Sequence, residues 1–374
     1  MNKSVKFSML HVVFLCMTVI GLKNHVTILP PILEEGKRDG WMSVLIAAGI
    51  LIPWLLLLAV ITKRLGNQSF MSLLEKKSAS IALFVKWFIS LWALLLGAFT
   101  MVEMLQWINT TFLPTTPMLI LFSVYFILCV TLATRGLQTM VILNVVVLFG
   151  VIVFGFLVAF VNMRVKDYSL LQPMLEHGME PVLLAVVFPA AGFTELLLLI
   201  FIQHHVKSQI KYKHFVIMLL ILVGLTMGPL IGAIVEFGPE EASKQRYPAY
   251  EEWGLAGIGE FISHMDFLSV YQWMTGAFIR IGFYVYIVTE LWNVQKQTKK
   301  VWYYIAPPFA IICLMLMLVD EQTFLIINNY HFLISTCILL LLLGFIFALL
   351  TGRKKGRRQE DISDAKQKQG DYVQ

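Results

Sequence analysis

Five charged side chains lie inside stretches that are otherwise apolar: Lys23, Lys86, Glu103, Glu195 and Arg280. A Lys, Arg or Asp at the centre of a membrane-spanning helix costs roughly 2.5–3.5 kcal/mol on insertion scales, so such a group normally faces the protein interior and has a partner. The chemistry open to these five is recognition and the handling of protons or ions. Arg280 offers a planar fork that can grip a carboxylate through two parallel bonds, or a fixed positive charge where a coupling cation would otherwise sit. A structural pair with Glu195 or Glu103 is the alternative. Lys23 can line a pocket or pair structurally, with Glu103 the nearest partner by sequence logic. Glu195 can meet a ligand's ammonium, carry a proton, or satisfy backbone donors freed by a helix break. Glu103 is a second candidate for an ion or proton path. Lys86, near the end of its run, is expected to snorkel to the membrane surface, and His25 to be a hydrogen-bonded structural residue.

Enzyme chemistry has no footing here. No nucleophile stands beside a base, 203-QHH-205 adjoins basic residues, and no Walker sequence occurs. The expectation is a non-enzyme without cofactor or bound metal. Cys16, Cys129, Cys313 and Cys337 all fall inside apolar runs without zinc spacing or a disulfide framework, and read as small hydrophobes.

The elements that must position these groups follow from the composition. Of 374 residues, 58% are hydrophobic and 14% charged, with a mean hydropathy of +0.77. A soluble domain cannot hide that much apolar surface. The charges cluster between apolar runs long enough to cross a hydrocarbon core of roughly 30 Å as helix. Ten spans are expected, at about 7–33, 41–62, 81–107, 117–134, 140–162, 181–206, 212–236, 266–292, 302–319 and 332–351. The net charge of +6 and pI near 9.0 come from residues in loops and a tail, not from a nucleic-acid-binding face. Of the 29 Lys and Arg residues, twenty fall in segments that share a side with the N-terminus, six on the other side and three within spans, which predicts that both termini are cytoplasmic. Residues 1–351 form one transmembrane domain in this reading, and 352–374 a charged, disordered cytoplasmic tail. No cleavable signal is expected.

Ten spans divide into two sets of five, and an odd number per set lets the halves form inverted-topology repeats with discontinuous helices at matched positions. The first span carries Gly21-Leu-Lys-Asn-His25 and the sixth carries 188-FPAAGFTE-195, each a helix breaker beside polar groups. At such breaks, freed backbone N–H groups and half-helix ends can hold a carboxylate, with Gly21, Leu22, Ala191 and Gly192 as the expected contributors. The alternative is a plain helix kink. Phe188 and Phe193 flank the second break and are candidate gates. Asp39 reads as the N-cap of the second span with Trp41 an interfacial residue. Glu34-Glu35 and Lys37-Arg38 read as a solvated outer turn, 163–180 as a polar outer connection and 248–267 as an amphipathic interfacial segment. The tail run RKKGRR, 353–358, suits anionic lipid.

The run 36-GKRDGWMSVLIAAGI-50, the sixth span PVLLAVVFPAAGFTELLLL and the segment 248-PAYEEWGLAGIGEFISHMD-266 together resemble the spore germination permeases, the B subunits of GerA-type germinant receptors, over roughly 7–351. That resemblance implies the fold of the amino acid–polyamine–organocation superfamily, LeuT-like, with broken helices 1 and 6. It implies a small germinant, an amino acid, held between spans 1 and 6 with spans 3 and 8 completing the site. The expected ligand-binding residues are Gly21, Leu22, Lys23, Phe188, Ala191, Gly192, Glu195 and Arg280. It further implies A-type and C-type partner subunits in the inner membrane of a dormant spore. Lys23 and His25 depart from the family pattern, which has small uncharged residues at the first break. The alternative function is a proton-coupled amino acid secondary transporter with Glu195 or Glu103 as proton carrier.

Overall fold

The computed structural model describes residues 6–257 and 265–352, and every regular element among them is helical. The chain opens with three short helices, α1 (Met9–Val19), α2 (Gly21–His25) and α3 (Leu29–Gly36). Then follow α4 (Gly40–Leu65), α5 (Phe70–Lys77), α6 (Ala79–Thr111) and α7 (Met118–Val161). The next apolar run is divided into α8 (Glu180–Ala185), α9 (Val187–Phe193) and a 3₁₀ helix, Thr194–His205. The second half continues with α10 (Tyr212–Phe237), α11 (Pro239–Ala242), α12 (Pro248–Gly254), α13 (Phe267–Leu291) and α14 (Thr298–Lys300). It ends with α15 (Ala306–Met317), α16 (Glu321–Ile326) and α17 (Leu333–Thr351). Among the described residues, eight helical runs are long and apolar enough to cross a membrane, and Met9–Val19 is a shorter apolar helix. Phe84, Phe149, Tyr303, Tyr304 and Leu349 are each more than two-thirds exposed, as suits an outer face solvated by lipid. The protein is an all-α integral membrane protein.

Two of the eight runs contain a sharp turn of the chain. Gly136 stands at φ 83°, ψ 170° inside α7, a conformation that favours glycine. On α13, an added Cβ at Gly282 would meet both Leu132 and Met140. Further along α13, the Tyr125 hydroxyl donates to the Met274 carbonyl and the Tyr271 hydroxyl to the Val147 carbonyl. Both arms of α7 therefore run along the same stretch of α13 in opposite senses, so the chain doubles back at Gly136. Between α3 and α4 the chain turns just as sharply. A Cβ at Gly40 would lie 2.8 Å from the Ile32 carbonyl oxygen, so only glycine permits this approach.

Proline placement decides where the first and sixth apolar runs break. Pro30 and Pro31 open α3. Because proline has no N–H, the carbonyls of Val26 and Thr27 lose their helical donors. The interruption accordingly falls at 26–28, where the Ile28 N–H reaches back to the Lys23 carbonyl at 3.2 Å. Gly21 and Leu22 lie one turn earlier, inside α2. The expected break at Gly21–His25 is thus displaced by a few residues. In the sixth run Pro189 deprives the Ala185 carbonyl of its donor, and helix α8 stops there. Ala191 and Gly192 sit inside α9, so the interruption falls at Val186 rather than at the small residues themselves.

The most buried runs are Glu180–His205 and Phe267–Leu291, each 78% buried over its apolar window, against 28% for Met118–Arg164. They form the centre of the bundle, α13 packed on α6, on α7 and on α1. Two expectations change. The last run begins at Glu321 rather than near 332, because the Asp320 side chain accepts from the Thr323 N–H and caps α16, which continues through a wide π-type turn, Ile327–Phe332, into α17. Asp39 makes no side-chain cap on α4; its carboxylate accepts from the Leu175 N–H at 3.0 Å and ties down the 165–178 connection. Lys86 ends 2.6 Å from the exposed Glu75 on α5, a partner compatible with a side chain reaching toward the membrane surface. The expected tail, 353–374, and the centre of the amphipathic segment, 258–264, lie outside the described residues.

Candidate functional site

Lys23, Glu195 and Arg280 come together where α2, the start of the 3₁₀ helix and the middle of α13 meet. All three are buried, with side-chain exposures of 4%, 0% and 3%. The Glu195 carboxylate accepts four bonds. Oε1 takes Lys23 Nζ at 3.0 Å and Arg280 Nη2 at 3.0 Å, and Oε2 takes Arg280 Nη1 at 2.8 Å and the Tyr284 hydroxyl at 2.6 Å. A carboxylate has about four acceptor positions, so Glu195 is saturated. The guanidinium also donates to the Val19 carbonyl in the last turn of α1 and, from Nε, to Thr100 Oγ1 at 3.1 Å. A cation there suits the negative end of the α1 dipole. The sequence alternatives for Arg280 resolve in this arrangement to a bidentate grip on Glu195, and Lys23 pairs with Glu195 instead of Glu103.

Glu103 lies on the other side of this cluster. Thr27 in the first interruption donates to its Oε2 at 2.9 Å, and among the described residues no cation forms an ion pair with it. Lys23, Thr27, Thr100, Glu103, Arg280 and Asn328 line a shared cavity of about 10 Å³. A second void of similar size, about 10 Å³, lies beyond Glu195 against Cys16, Val19 and Phe283. Each has room for about one water molecule. The site is therefore closed to anything much larger than a water molecule.

Asn24, beside Lys23 in α2, turns an unsatisfied amide toward α9 and lines neither cavity. It is fully buried, and neither its Oδ1 nor its Nδ2 has a hydrogen-bond partner. It abuts α9 so closely that a Cβ at Gly192 would lie 1.8 Å from Asn24 Oδ1. Burying an amide without partners costs ~1–3 kcal/mol.

The remaining expected residues divide. Gly21 packs against Leu225 of α10, and Leu22 against Gly276 of α13. Phe188 is buried edge-on against Tyr330, ring centroids 5.6 Å apart, and Ala191 is buried within α9; neither lines the two cavities. His25 is hydrogen-bonded to the Leu225 carbonyl at 3.1 Å, as expected for a structural residue. Sequence reasoning missed Asn24, Thr27, Tyr284 and Asn328. Tyr284 carried a usable signal, since it stands four residues after Arg280 and so on the same helix face. Asn24 carried none, because its significance depends on Gly192 across the interface. Away from this site, His204, His205 and Glu290 are the one group of metal-compatible donors brought together among the described residues.

A profile of the family described as "Spore germination protein" matches residues 2–325. Spore germination protein XB of Bacillus anthracis is 40% identical over 278 residues, covering 74% of this chain and 78% of that protein. YfkT of Bacillus subtilis (strain 168), provisionally named a spore germination protein, is 29% identical over 272 residues, covering 72% of this chain and 74% of that protein.

Proposed function

The chain belongs to the spore germination protein family, and from that premise we propose that it is the B-type membrane subunit of a GerA-type germinant receptor, binding a small amino acid at the Lys23–Glu195–Arg280 junction. In this proposal the chain crosses the membrane ten times. The first crossing is α1–α3, the two arms of α7 are the fourth and fifth, and two inverted five-helix repeats have their interrupted helices at the first and sixth positions. Both termini lie in the cytoplasm, the membrane is the inner membrane of the spore, and A-type and C-type subunits receive the signal.

The observation that carries the reading is the pairing of a saturated ion cluster with an unsatisfied, buried Asn24 amide at the junction of the two interrupted segments. Two cations face one carboxylate at the cluster, while Glu103 shares the adjoining cavity. A zwitterion suits that polarity. Its carboxylate competes with Glu195 for Lys23 and Arg280, and its ammonium turns toward Glu103 and Thr27, with Asn24 completing the contacts. Because the closed site has room for little more than a water, the ligand binds only a more open state. Its differential affinity for that state shifts the population and passes the signal on. A second reading, proton-coupled uptake of the same ligand class, draws on Glu103, a buried carboxylate whose described hydrogen-bond donor is the neutral Thr27.

Spores carrying the wild-type protein, no protein or Asn24→Ala separate the two readings. With protein levels matched by immunoblot, each is exposed to a panel of amino acids while dipicolinic acid release and uptake of labelled ligand are followed. Receptor function requires that one amino acid trigger release in wild type without saturable uptake, and that the response be lost in the variant. Saturable uptake with germination equal in all three strains establishes the transporter instead.

A further inference from the structure

We propose that His204, His205 and Glu290 form a binding site for a divalent first-row metal ion of the zinc type. His204 and His205 are the last two residues of the 3₁₀ helix, and Glu290 is the penultimate residue of α13. His204 Nε2 lies 2.9 Å from Glu290 Oε1, and His205 Nε2 lies 3.2 Å from Glu290 Oε2. The three ligand atoms all fall within 4.8 Å of one another. Tetrahedral zinc with bonds of roughly 2.0–2.1 Å sets its ligands about 3.3 Å apart, so the present spacing needs little adjustment to admit the ion. Two imidazoles and one carboxylate are a donor set that suits zinc and its neighbours, with a fourth position left for water or an exogenous ligand.

Helix periodicity does not produce this arrangement. Adjacent residues on a 3₁₀ helix diverge by a third of a turn, yet the two imidazole centroids are 4.0 Å apart. The convergence is possible because the helix ends here: Val206 is extended at φ −91°, ψ 139°. Phe7 pairs with the same segment, its N–H donating to the His205 carbonyl at 2.9 Å and its carbonyl accepting from the Lys207 N–H at 2.7 Å. Around the carboxylate there is a supporting shell. The Tyr286 hydroxyl donates to Glu290 Oε2 at 2.7 Å, and Gln295 Nε2 donates to the same oxygen at 3.2 Å. Such partners orient ligating groups in metal sites. His204 Nδ1 is buried with no partner, so no hydrogen bond at that atom commits the ring to a tautomer that would block Nε2.

The position has a mechanical consequence. His205 follows Glu195 by ten residues, and Glu290 follows Arg280 by ten. The 3₁₀ helix and α13 are thus already joined by the Glu195–Arg280 pair, and a metal would join them again about 15 Å along α13. Occupancy would resist separation of these two elements at the end where Phe7 also docks. The metal site stands or falls independently of the germinant reading.

The test uses the full chain purified in detergent with an affinity tag free of histidine, stripped with chelator and titrated with Co²⁺ and then Zn²⁺. Wild type is expected to take up a single equivalent of Co²⁺ with the visible absorption of a tetrahedral nitrogen–oxygen site, and Zn²⁺ should bleach it. Glu290→Gln and His205→Asn should abolish the band while eluting as monodisperse protein. Tyr286→Phe should weaken binding roughly 10–100-fold, and His214→Ala, at a histidine outside the group, should leave it unchanged. The proposal is overturned if wild type takes up no stoichiometric ion, or if the ligand variants bind as wild type does. Should both ligand variants fail to fold, the Tyr286→Phe affinity decides, with an unchanged value counting against the site.

Discussion

Four donors converge on the two oxygens of Glu195, and all four participating side chains are buried. Breaking a buried ion pair by removing one partner is costly because the other charge stays buried without compensation, typically about 3–5 kcal/mol. Glu195→Gln should therefore lower the thermal unfolding midpoint in detergent sharply. Adding Lys23→Met should restore part of the loss, because one of the two stranded cations goes with it. Intrinsic tryptophan fluorescence during heating reads both. Equal destabilisation by the single and double variants would mean that Lys23 is not stabilised by Glu195. A second carboxyl offers a pH-dependent readout outside the apolar runs. Burial, and next the neighbouring Glu236 charge, push the Glu252 carboxyl on α12 well above the usual carboxylate range, with Lys166 opposing. A carboxyl raised by folding contributes its stability at low pH and loses it as pH rises from the ordinary carboxylate range toward the folded-state value. Glu252→Gln is expected to be more stable than wild type at pH 8 and to lose that advantage toward pH 4. The difference in melting midpoint across that range is the check.

At the scale of elements, the interruptions are set by prolines, and close contact across them is set by glycine. A methyl group at residue 192 would meet Asn24 Oδ1 at 1.8 Å, so Gly192→Ala should push α2 from α9 at a cost of about 1–3 kcal/mol, the usual range for overpacking. Asn24→Ala in the same chain should recover most of that cost, as a double-mutant cycle in thermal unfolding would show. Much of this was legible beforehand. The apolar runs, the charged positions within them and the discontinuities in the first and sixth runs all follow from residue type and spacing. Their register did not. Gly21 and the Pro189–Gly192 stretch read as breakers, but helices tolerate glycine better than they tolerate the lost N–H of a proline, and the interruptions fall at 26–28 and Val186, upstream of Pro30, Pro31 and Pro189. The partner of Lys23 was equally hidden, since which of Glu103 and Glu195 it meets depends on how α2 is rotated against α13. The doubling back at Gly136 agrees with an expected loop around Arg135, whereas the early start of the last run depended on the Asp320 cap.

For the molecule as a whole, a closed bundle around a sealed ion cluster implies that ligand must bind a different state from the one described. Arg280 also places a fixed positive charge against the Val19 carbonyl. In the proposed receptor this charge does the work of a coupling cation, so replacing Na⁺ by choline at constant ionic strength should leave ligand affinity unchanged. A tenfold or greater loss would show that sodium takes part. The central claim, that the junction of Lys23, Asn24, Glu195 and Arg280 recognises the carboxylate of an amino acid, is tested most directly by the melting midpoint of the purified chain. Each amino acid of a panel would be compared with its carboxamide, in wild type and in Asn24→Ala. A ligand at 100 times its Kd stabilises by about 2.7 kcal/mol. The account requires that one amino acid raise the midpoint, that its carboxamide not do so, and that the variant lose the effect. Stabilisation by acid and amide alike, or an undiminished effect in Asn24→Ala, would contradict it.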